Sequence, residues 1–157
     1  MPTLDDTNFD HTVVFLLRHT DDGALGVVIN RLGQTPISTL LPAWGLVTCE
    51  PGRIMLGGPV QIDGLLGLAA TPDGVVNVDL AEPPGLEIAT VRIFAGYSGW
   101  SAGQLDAEID FGSWLVVDAH PSDLWSPRPD TLWDDVIRRQ PGTTRWLAHH
   151  PNDPSNN

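Results

Sequence analysis

A glutamine, a glutamate and two aromatic residues lie close together in the middle of the chain. Gln104 and Glu108 are four residues apart, so a helix would place both side chains on one face, one turn apart. Tyr97 and Trp100 come just before them and would supply apolar walls. An amide and a carboxylate beside aromatic walls can bind a small ligand, and the carboxylate can act as a general base. The alternative is structural: Gln104 completes a helix cap, and Glu108 is an exposed helix residue bonded to a neighbouring loop.

Two further segments carry groups that could meet a ligand. Gly57 and Gly58 could bring backbone N–H groups close to an anion, although a tight turn between strands explains the same residues and Pro59 removes one donor. Asn30 with Arg31 at a strand end could clamp a carboxylate, although an asparagine there often simply adopts a turn conformation. The predicted ligand-binding set is Asn30, Gly57, Gly58, Tyr97, Trp100, Gln104 and Glu108.

Serine, thiol and metal chemistry have less support in the sequence. The segment around Ser98 resembles a nucleophile elbow, but Trp100 stands where the final glycine should be. Cys49 has no histidine nearby in the sequence, and the adjacent Glu50 would raise the pKa of its thiol. The five histidines show no paired ligand spacing. We therefore expect no metal site and no cofactor, and assign no catalytic residue.

The helix that would carry Gln104 and Glu108 can be predicted from its ends. Ser101 and Gln104 have the capping-box spacing, so we predict a helix over 102–111 that stops at Gly112. An apolar pair on the adjoining face would dock it onto the core. The segment 96–99 before the helix is then predicted to turn the chain sharply.

The rest of the chain is predicted to form short strands and a few helices. An apolar run after His11 is followed by the turn Asp21-Asp22-Gly23 and by a second apolar run ending at Ile29, which is typical of a β-hairpin. Because a hairpin forces antiparallel pairing, this argues against a parallel nucleotide-binding sheet built from the first strand. Further strands are predicted at 53–56, 65–70, 75–80, 86–95 and 114–117. Helices are predicted from Thr35-Pro36 and over 131–140, capped by Asp130.

Length and charge limit the function classes. The chain has 157 residues and a mass of 17.0 kDa, which suits one domain, here 1–150, followed by a polar tail over 151–157. Twenty acidic residues against eight basic ones, all arginine, give a net charge of −12. A field of this sign opposes binding to nucleic acid and to anionic lipid. A single cysteine and no long apolar run lead us to expect a cytoplasmic protein without a membrane segment.

The central segment also resembles a known family. The pattern Gly-Tyr-small-x-Trp-x-x-Gly-Gln-Leu-x-x-Glu-Ile, matched from Gly96 to Ile109, resembles the signature of the AlgH/YqgE family of uncharacterised bacterial proteins. Blocks at 23–31 and 56–60 resemble that family in the same order, so the likeness covers essentially the whole chain. The resemblance implies an α+β fold with a mostly antiparallel, bifurcated sheet curled into a pseudo-barrel and a few short helices. Relatives usually carry an apolar strand before the Pro-x-Leu-x-Asp segment that here begins at Pro2. Either the start is truncated or a sheet edge is left open, and an open edge would invite pairing with a second copy of the chain.

Three functions remain after this reasoning. We favour an accessory or regulatory cytoplasmic protein that binds a small molecule or a peptide in a groove beside the central helix. An enzyme of unknown reaction that uses Glu108 as acid or base is the alternative. AlgH-type proteins are also sometimes labelled transcriptional regulators, but the charge of −12 disfavours direct DNA binding. The resemblance implies no established reaction.

Overall fold

A computed structural model describes residues 11–141. Within that range the chain has an α+β fold, with a seven-stranded sheet and short helices. The strands are β1 Val14–Thr20, β2 Gly23–Val28, β3 Leu32–Pro36, β4 Arg53–Leu56, β5 Val60–Thr71, β6 Gly74–Val78 and β7 Thr90–Ser101. The helices are α1 Ile37–Leu40, α2 Gln104–Phe111, α3 Pro121–Leu124 and α4 Leu132–Arg138, with single 3₁₀ turns at Pro42–Trp44 and Pro129–Thr131. The predictions about an N-terminal strand and the polar tail over 151–157 lie outside the described residues.

The sheet is built around β7. The strands follow the order β1-β2-β7-β4-β3, and β5, which also pairs with β6, lies on β7 as well. All the strand pairs are antiparallel except β4 with β7, which is parallel. The α+β class and the mostly antiparallel sheet are therefore confirmed. The expected closure into a pseudo-barrel is wrong, because β1 and β3, at the ends of this path, do not pair within residues 11–141. Association of a second copy at an open edge stays a prediction.

The sheet divides at Gly96, in the middle of β7. Before it, Phe94 and Ala95 pair with β4 and β5, and after it the strand pairs with β2 from Ser98 onward. Gly96 has a φ of 75°, and a Cβ there would collide with the carbonyl oxygen of Gly58. Gly58, whose own φ is 151°, lies against the backbone of Tyr97. The expected sharp turn at 96–99 is wrong, because the strand continues through a local distortion that this contact holds.

Most of the short elements are confirmed, but several boundaries differ and one predicted strand is absent. The first hairpin is present, with Val14 opposite Val28 and Thr20 opposite Gly23. Pro36 ends β3 and precedes α1, so the predicted helix begins one residue later. The strand predicted at 86–95 begins only at Thr90. The strand predicted at 114–117 is irregular chain, since no neighbouring strand pairs with it among the described residues.

Three apolar clusters form the core, and the smallest one positions the candidate site. The largest lies around Phe94 and includes residues of α4, while the second surrounds Trp44. The third consists of Ala24, Trp100 and Leu105, so it joins β2, β7 and α2. No helix within residues 11–141 has the length and apolar content needed to span a membrane.

Candidate functional site

Glu108 lies at the centre of a hydrogen-bond network between α2 and β7. Its Oε1 accepts hydrogen bonds from the indole Nε1 of Trp100 at 3.1 Å and of Trp114 at 2.8 Å. Its Oε2 accepts one from Nε2 of Gln104 at 2.8 Å. The two indole rings meet edge to face, with centroids 5.9 Å apart. Only 1% of Glu108 is exposed, so the expectation of an exposed helix residue is wrong.

Gln104 links this network to the start of α2. Its Oε1 accepts hydrogen bonds from the backbone N–H of Ser101 at 3.0 Å and from the Ser101 hydroxyl at 3.2 Å. This is one half of the predicted capping box, because the glutamine reaches back to the serine N–H. The serine side chain makes no cap bond to the helix, and α2 begins at Gln104, with Gly103 before it in the left-handed region. Gly112 ends the helix as predicted.

The predicted apolar pair docks α2 onto the sheet. Leu105 is buried in the cluster with Trp100, and Ile109 packs against it. On the polar side, His19 Nε2 of β1 lies 3.1 Å from Asp106 Oδ1. Helix α2 is therefore tied to both β1 and β7, and Gln104 and Glu108 are held in the layer between the helix and the sheet.

A cavity of about 240 Å³ opens beside Tyr97 and Gly99 on the exposed side of β7. Its lining includes Arg18, Thr20, Asp22, Leu25, Tyr97 and Gly99, and Trp100 also contributes. Leu25 stands opposite Gly99 on one side and opposite Arg18 on the other, so three adjacent strands form its floor. A Cβ at Gly99 would meet only the Tyr97 ring, at 3.6 Å, which shows that the missing side chain leaves space there.

The cavity carries charges of both signs. The guanidinium of Arg18 forms no ion pair or hydrogen bond with any residue in the range 11–141, and the same holds for the carboxylate of Asp22. The backbone N–H of Asp22 donates to the Thr20 hydroxyl at 3.2 Å, which fixes the turn next to the cavity. Arg18 and Asp22 are thus available to a bound molecule.

The structure brings together some of the predicted site residues. Tyr97 and Trp100 line the cavity, whereas Gln104 and Glu108 support Trp100 from the helix side. Tyr97 therefore belongs to the cavity layer, whereas Trp100, Gln104 and Glu108 belong to the layer between β7 and α2, and Trp100 also borders the cavity. Whether any of them contacts a ligand stays a prediction.

The remaining predicted residues have structural contacts. The N–H of Gly57 donates to Ala95 O at 2.9 Å, and its carbonyl accepts from Val28 N and from the Ser98 hydroxyl. An anion nest at this position therefore lacks the Gly57 donor. Asn30 lies at the far end of the first hairpin, where its amide accepts from Val13 N at 2.9 Å and donates to His11 O at 2.9 Å.

Cys49 lies beside a buried arginine rather than in a reactive site. Burial raises the pKa of the Cys49 thiol, and the neighbouring Arg92 opposes this effect. A raised pKa for Cys49 agrees with the expectation from the sequence, but burial raises it and not the neighbouring Glu50. Among residues 11–141 we find no group of histidine, cysteine and acidic side chains that could hold a metal ion.

Sequence reasoning missed Arg18, Thr20 and Asp22 as candidate site residues. Arg18 and Thr20 alternate along one strand of the predicted hairpin, which indicated a shared face, and Asp22 follows them in the turn. The signal that was lacking is the pairing of β2 with the second half of β7, far away in the chain, which brings this face next to Tyr97 and Gly99.

Comparisons with known proteins agree with this fold. The profile of the AlgH-like family, DUF179, matches residues 1–145. A UPF0301 protein from Streptomyces avermitilis is 42% identical, covering 99% of this chain and 91% of that protein. One from Mycolicibacterium smegmatis is 45% identical, covering 95% and 83%.

Two solved structures have the same fold. The crystal structure of protein DIP2367 from Corynebacterium diphtheriae has a TM-score of 0.84 at 26% identity, covering 94% of this chain and 85% of that one. The solution structure of the AlgH protein from Pseudomonas aeruginosa has a TM-score of 0.68 at 28% identity, covering 98% and 89%. From its sequence, its fold and the central Gly-Tyr to Glu-Ile segment, the chain belongs to the AlgH-like, UPF0301 family.

Proposed function

We propose that this protein binds a small polar molecule in the cavity beside Tyr97 and Gly99 and acts as an accessory or regulatory protein in the cytoplasm. The observation that carries the proposal is the Arg18 guanidinium, which faces the cavity and has no ion-pair partner within residues 11–141. A charged group of this kind gives orientation to a ligand that the neighbouring apolar and aromatic groups enclose.

Size favours a metabolite over a peptide. Drug-sized ligands occupy cavities of about 300–1,000 Å³, and this one measures about 240 Å³. The floor of the cavity is made of paired strands, and α2 supports β7 from behind through Trp100 and Glu108. The site is therefore preformed, which lowers the cost of binding.

Binding has more support than catalysis by Glu108. Both carboxyl oxygens accept hydrogen bonds from side chains of the protein, and the residue is 1% exposed. A general acid or base must come within hydrogen-bond reach of the substrate. Serving as one would require Glu108 to break bonds that hold Trp100 and Trp114. We therefore propose that Glu108 positions the wall of the cavity.

Direct transcriptional regulation has less support than ligand binding. The charge of −12 opposes approach to DNA. Arg138 ends α4, and Arg139, just after it, is already bonded to Asp123. A regulatory role would then act through a ligand or a protein partner.

The test is thermal unfolding of the full chain against a library of small polar metabolites. A ligand at about 100 times its Kd adds about 2.7 kcal/mol of stability, which at this size corresponds to a rise of roughly 5–10 °C in Tm. We expect at least one compound to raise the Tm of the wild type, and expect that rise to be lost in Arg18→Gln and in Gly99→Leu, which fills the cavity.

Arg128→Gln is the matched control, because it removes the same charge from an exposed arginine outside the cavity. It should respond like the wild type. A compound that stabilises Arg18→Gln and Gly99→Leu as much as the wild type would bind elsewhere and would contradict the proposed site. No response to any compound would favour a protein partner instead.

A further inference from the structure

We infer that the ligand is a small zwitterion with one carboxylate and one ammonium group, of the amino-acid class. This inference rests on the proposed function and adds the chemistry of its ligand. It is carried by two groups of opposite charge, Arg18 and Asp22, which line one cavity without pairing with each other.

The two charges lie at opposite ends of a short row. Arg18 and Thr20 are two residues apart on β1, so their side chains project from the same face. Asp22 follows in the turn, which is held next to Thr20 by the bond from Asp22 N to the Thr20 hydroxyl. Thr20 thus separates the guanidinium from the carboxylate, and a molecule lying along the row can meet both.

Each charge selects against a ligand that carries only a charge of the same sign as its own. A simple anion bound to Arg18 would lie close to the carboxylate of Asp22, and a simple cation bound to Asp22 would lie close to the guanidinium of Arg18. A zwitterion satisfies both groups. The guanidinium can bind its carboxylate through two parallel N–H donors, and the aspartate accepts from its ammonium.

The net charge of the molecule supports the same class. At −12 the protein repels anions at long range, so an anionic metabolite would meet an unfavourable field on approach. A zwitterion has no net charge and avoids this cost. The cavity of about 240 Å³ and the Tyr97 ring on one wall suit a short carbon chain between the two charged ends.

The test is a titration of the isotope-labelled full chain followed by NMR of its backbone amides. The probes are ω-amino acids from glycine to 6-aminohexanoate, with butyrate and butylammonium as single-charge controls. We expect at least one amino acid to shift the amides of Gly23 and Gly99. Binding should weaken by about tenfold or more in Arg18→Gln and in Asp22→Asn, as for loss of a hydrogen bond to a charged group. Arg128→Gln should bind like the wild type.

The outcomes separate this inference from the proposed function. One outcome is that butyrate binds as tightly as the best amino acid and that Asp22→Asn binds that amino acid as tightly as the wild type does. That result would show that the ligand needs only a carboxylate, so it would overturn the zwitterion and leave the proposed cavity in place. If neither these probes nor the metabolite library changes the protein, both are overturned. Butylammonium as the strongest probe, unaffected by Arg18→Gln, would also overturn the zwitterion.

Discussion

Glu108 shows how one buried carboxyl group can organise its surroundings. It joins Trp100 of β7, Gln104 of the same helix and Trp114 of the following chain, so three separate parts of the sequence depend on it. Burying polar donors is unfavourable unless each finds an acceptor. Both indole N–H groups bond to Glu108, which supplies the acceptor that each of these donors needs.

Replacing Glu108 by glutamine should lower the free energy of unfolding by roughly 1–3 kcal/mol. The glutamine oxygen can still accept from the indoles, but its NH₂ group would face the Gln104 amide, which now donates to Oε2. Either one of the two amide NH₂ groups is then left without an acceptor, or Gln104 turns its amide around and gives up its hydrogen bond with Ser101. Chemical denaturation followed by tryptophan fluorescence measures the loss.

Asp110→Asn is the control for this substitution, because Asp110 is an exposed acid on the same helix. It should change the stability by less than about 0.5 kcal/mol. Equal stability of Glu108→Gln and the wild type would show that the network contributes little, and would reopen Glu108 for chemistry.

Arg92 and Cys49 illustrate what residue types alone do not reveal. Arg92 is 2% exposed, and its guanidinium donates to the carbonyl oxygens of Glu50 and Ser126. Burial lowers the pKa of Arg92 and raises that of Cys49, and each group partly opposes the shift of the other. An arginine within an apolar strand gives no sequence signal for this arrangement, since its contacts come from segments far away in the chain.

At the scale of elements, α3 and α4 are joined by one charged pair. Arg139, just after α4, donates to both carboxylate oxygens of Asp123 in α3, at 2.6 and 2.9 Å. Asp135 and Arg139 are four residues apart, a spacing that would allow an ion pair along the helix. Asp135 instead accepts from the Thr131 hydroxyl at 3.3 Å. Arg139 makes two parallel hydrogen bonds to the carboxylate of Asp123, and this bidentate contact is stronger than a single contact with Asp135 would be.

Arg139→Ala should therefore lower the free energy of unfolding by about 1.5–3 kcal/mol. The side chain of Asp123 is only 10% exposed and would lose both of its guanidinium donors. The bonds to Asp123 raise the pKa of Arg139 above its usual value. Its guanidinium therefore stays charged in both the folded and the unfolded protein at pH 7 and at pH 9. The loss should accordingly be the same at pH 7 and pH 9, measured by denaturant unfolding.

Arg138→Ala provides the comparison, since Arg138 is exposed at the end of the same helix. Its effect should stay within about 0.5 kcal/mol. Similar losses in the two variants would show that helix-end charge, and not the link to α3, stabilises this region.

Local sequence signals predicted the elements better than their partners. The Asp-Gly turn at 22–23 predicted the first hairpin, and Gly112 predicted the end of α2, because both depend on neighbouring residues. The course of β7 through Gly96 depends on Gly58, thirty-eight residues earlier, whereas the local sequence predicts a turn there. The candidate cavity escaped prediction for the same reason, since the pairing of β2 with β7 forms it. Trp114 and its neighbours have an apolar strand pattern but pair with no strand among residues 11–141.

At the scale of the whole molecule, charge is the dominant feature. Twenty acidic residues and eight arginines share 157 positions, and Arg139 is paired with Asp123 while Arg92 is buried. The remaining six arginines are too few to offset the acidic residues. The compact state therefore brings like charges together, and this repulsion opposes folding.

Added salt should thus stabilise the protein in the absence of ligand. Raising the ionic strength from about 0.01 to 0.15 M shortens the screening length from about 30 to 8 Å. This weakens the repulsion between distant surface charges more than the attraction within close, partly buried pairs such as Asp123 with Arg139. We expect Tm to rise by about 2–4 °C for each ~1 kcal/mol of repulsion that is removed. Scanning calorimetry at several sodium chloride concentrations measures this dependence. A Tm that falls over this range would mean that attractive pairs outweigh the repulsion. In that case repulsion between acidic residues would not limit the stability of the folded protein, although the net charge of −12 would still oppose the approach of an anionic ligand.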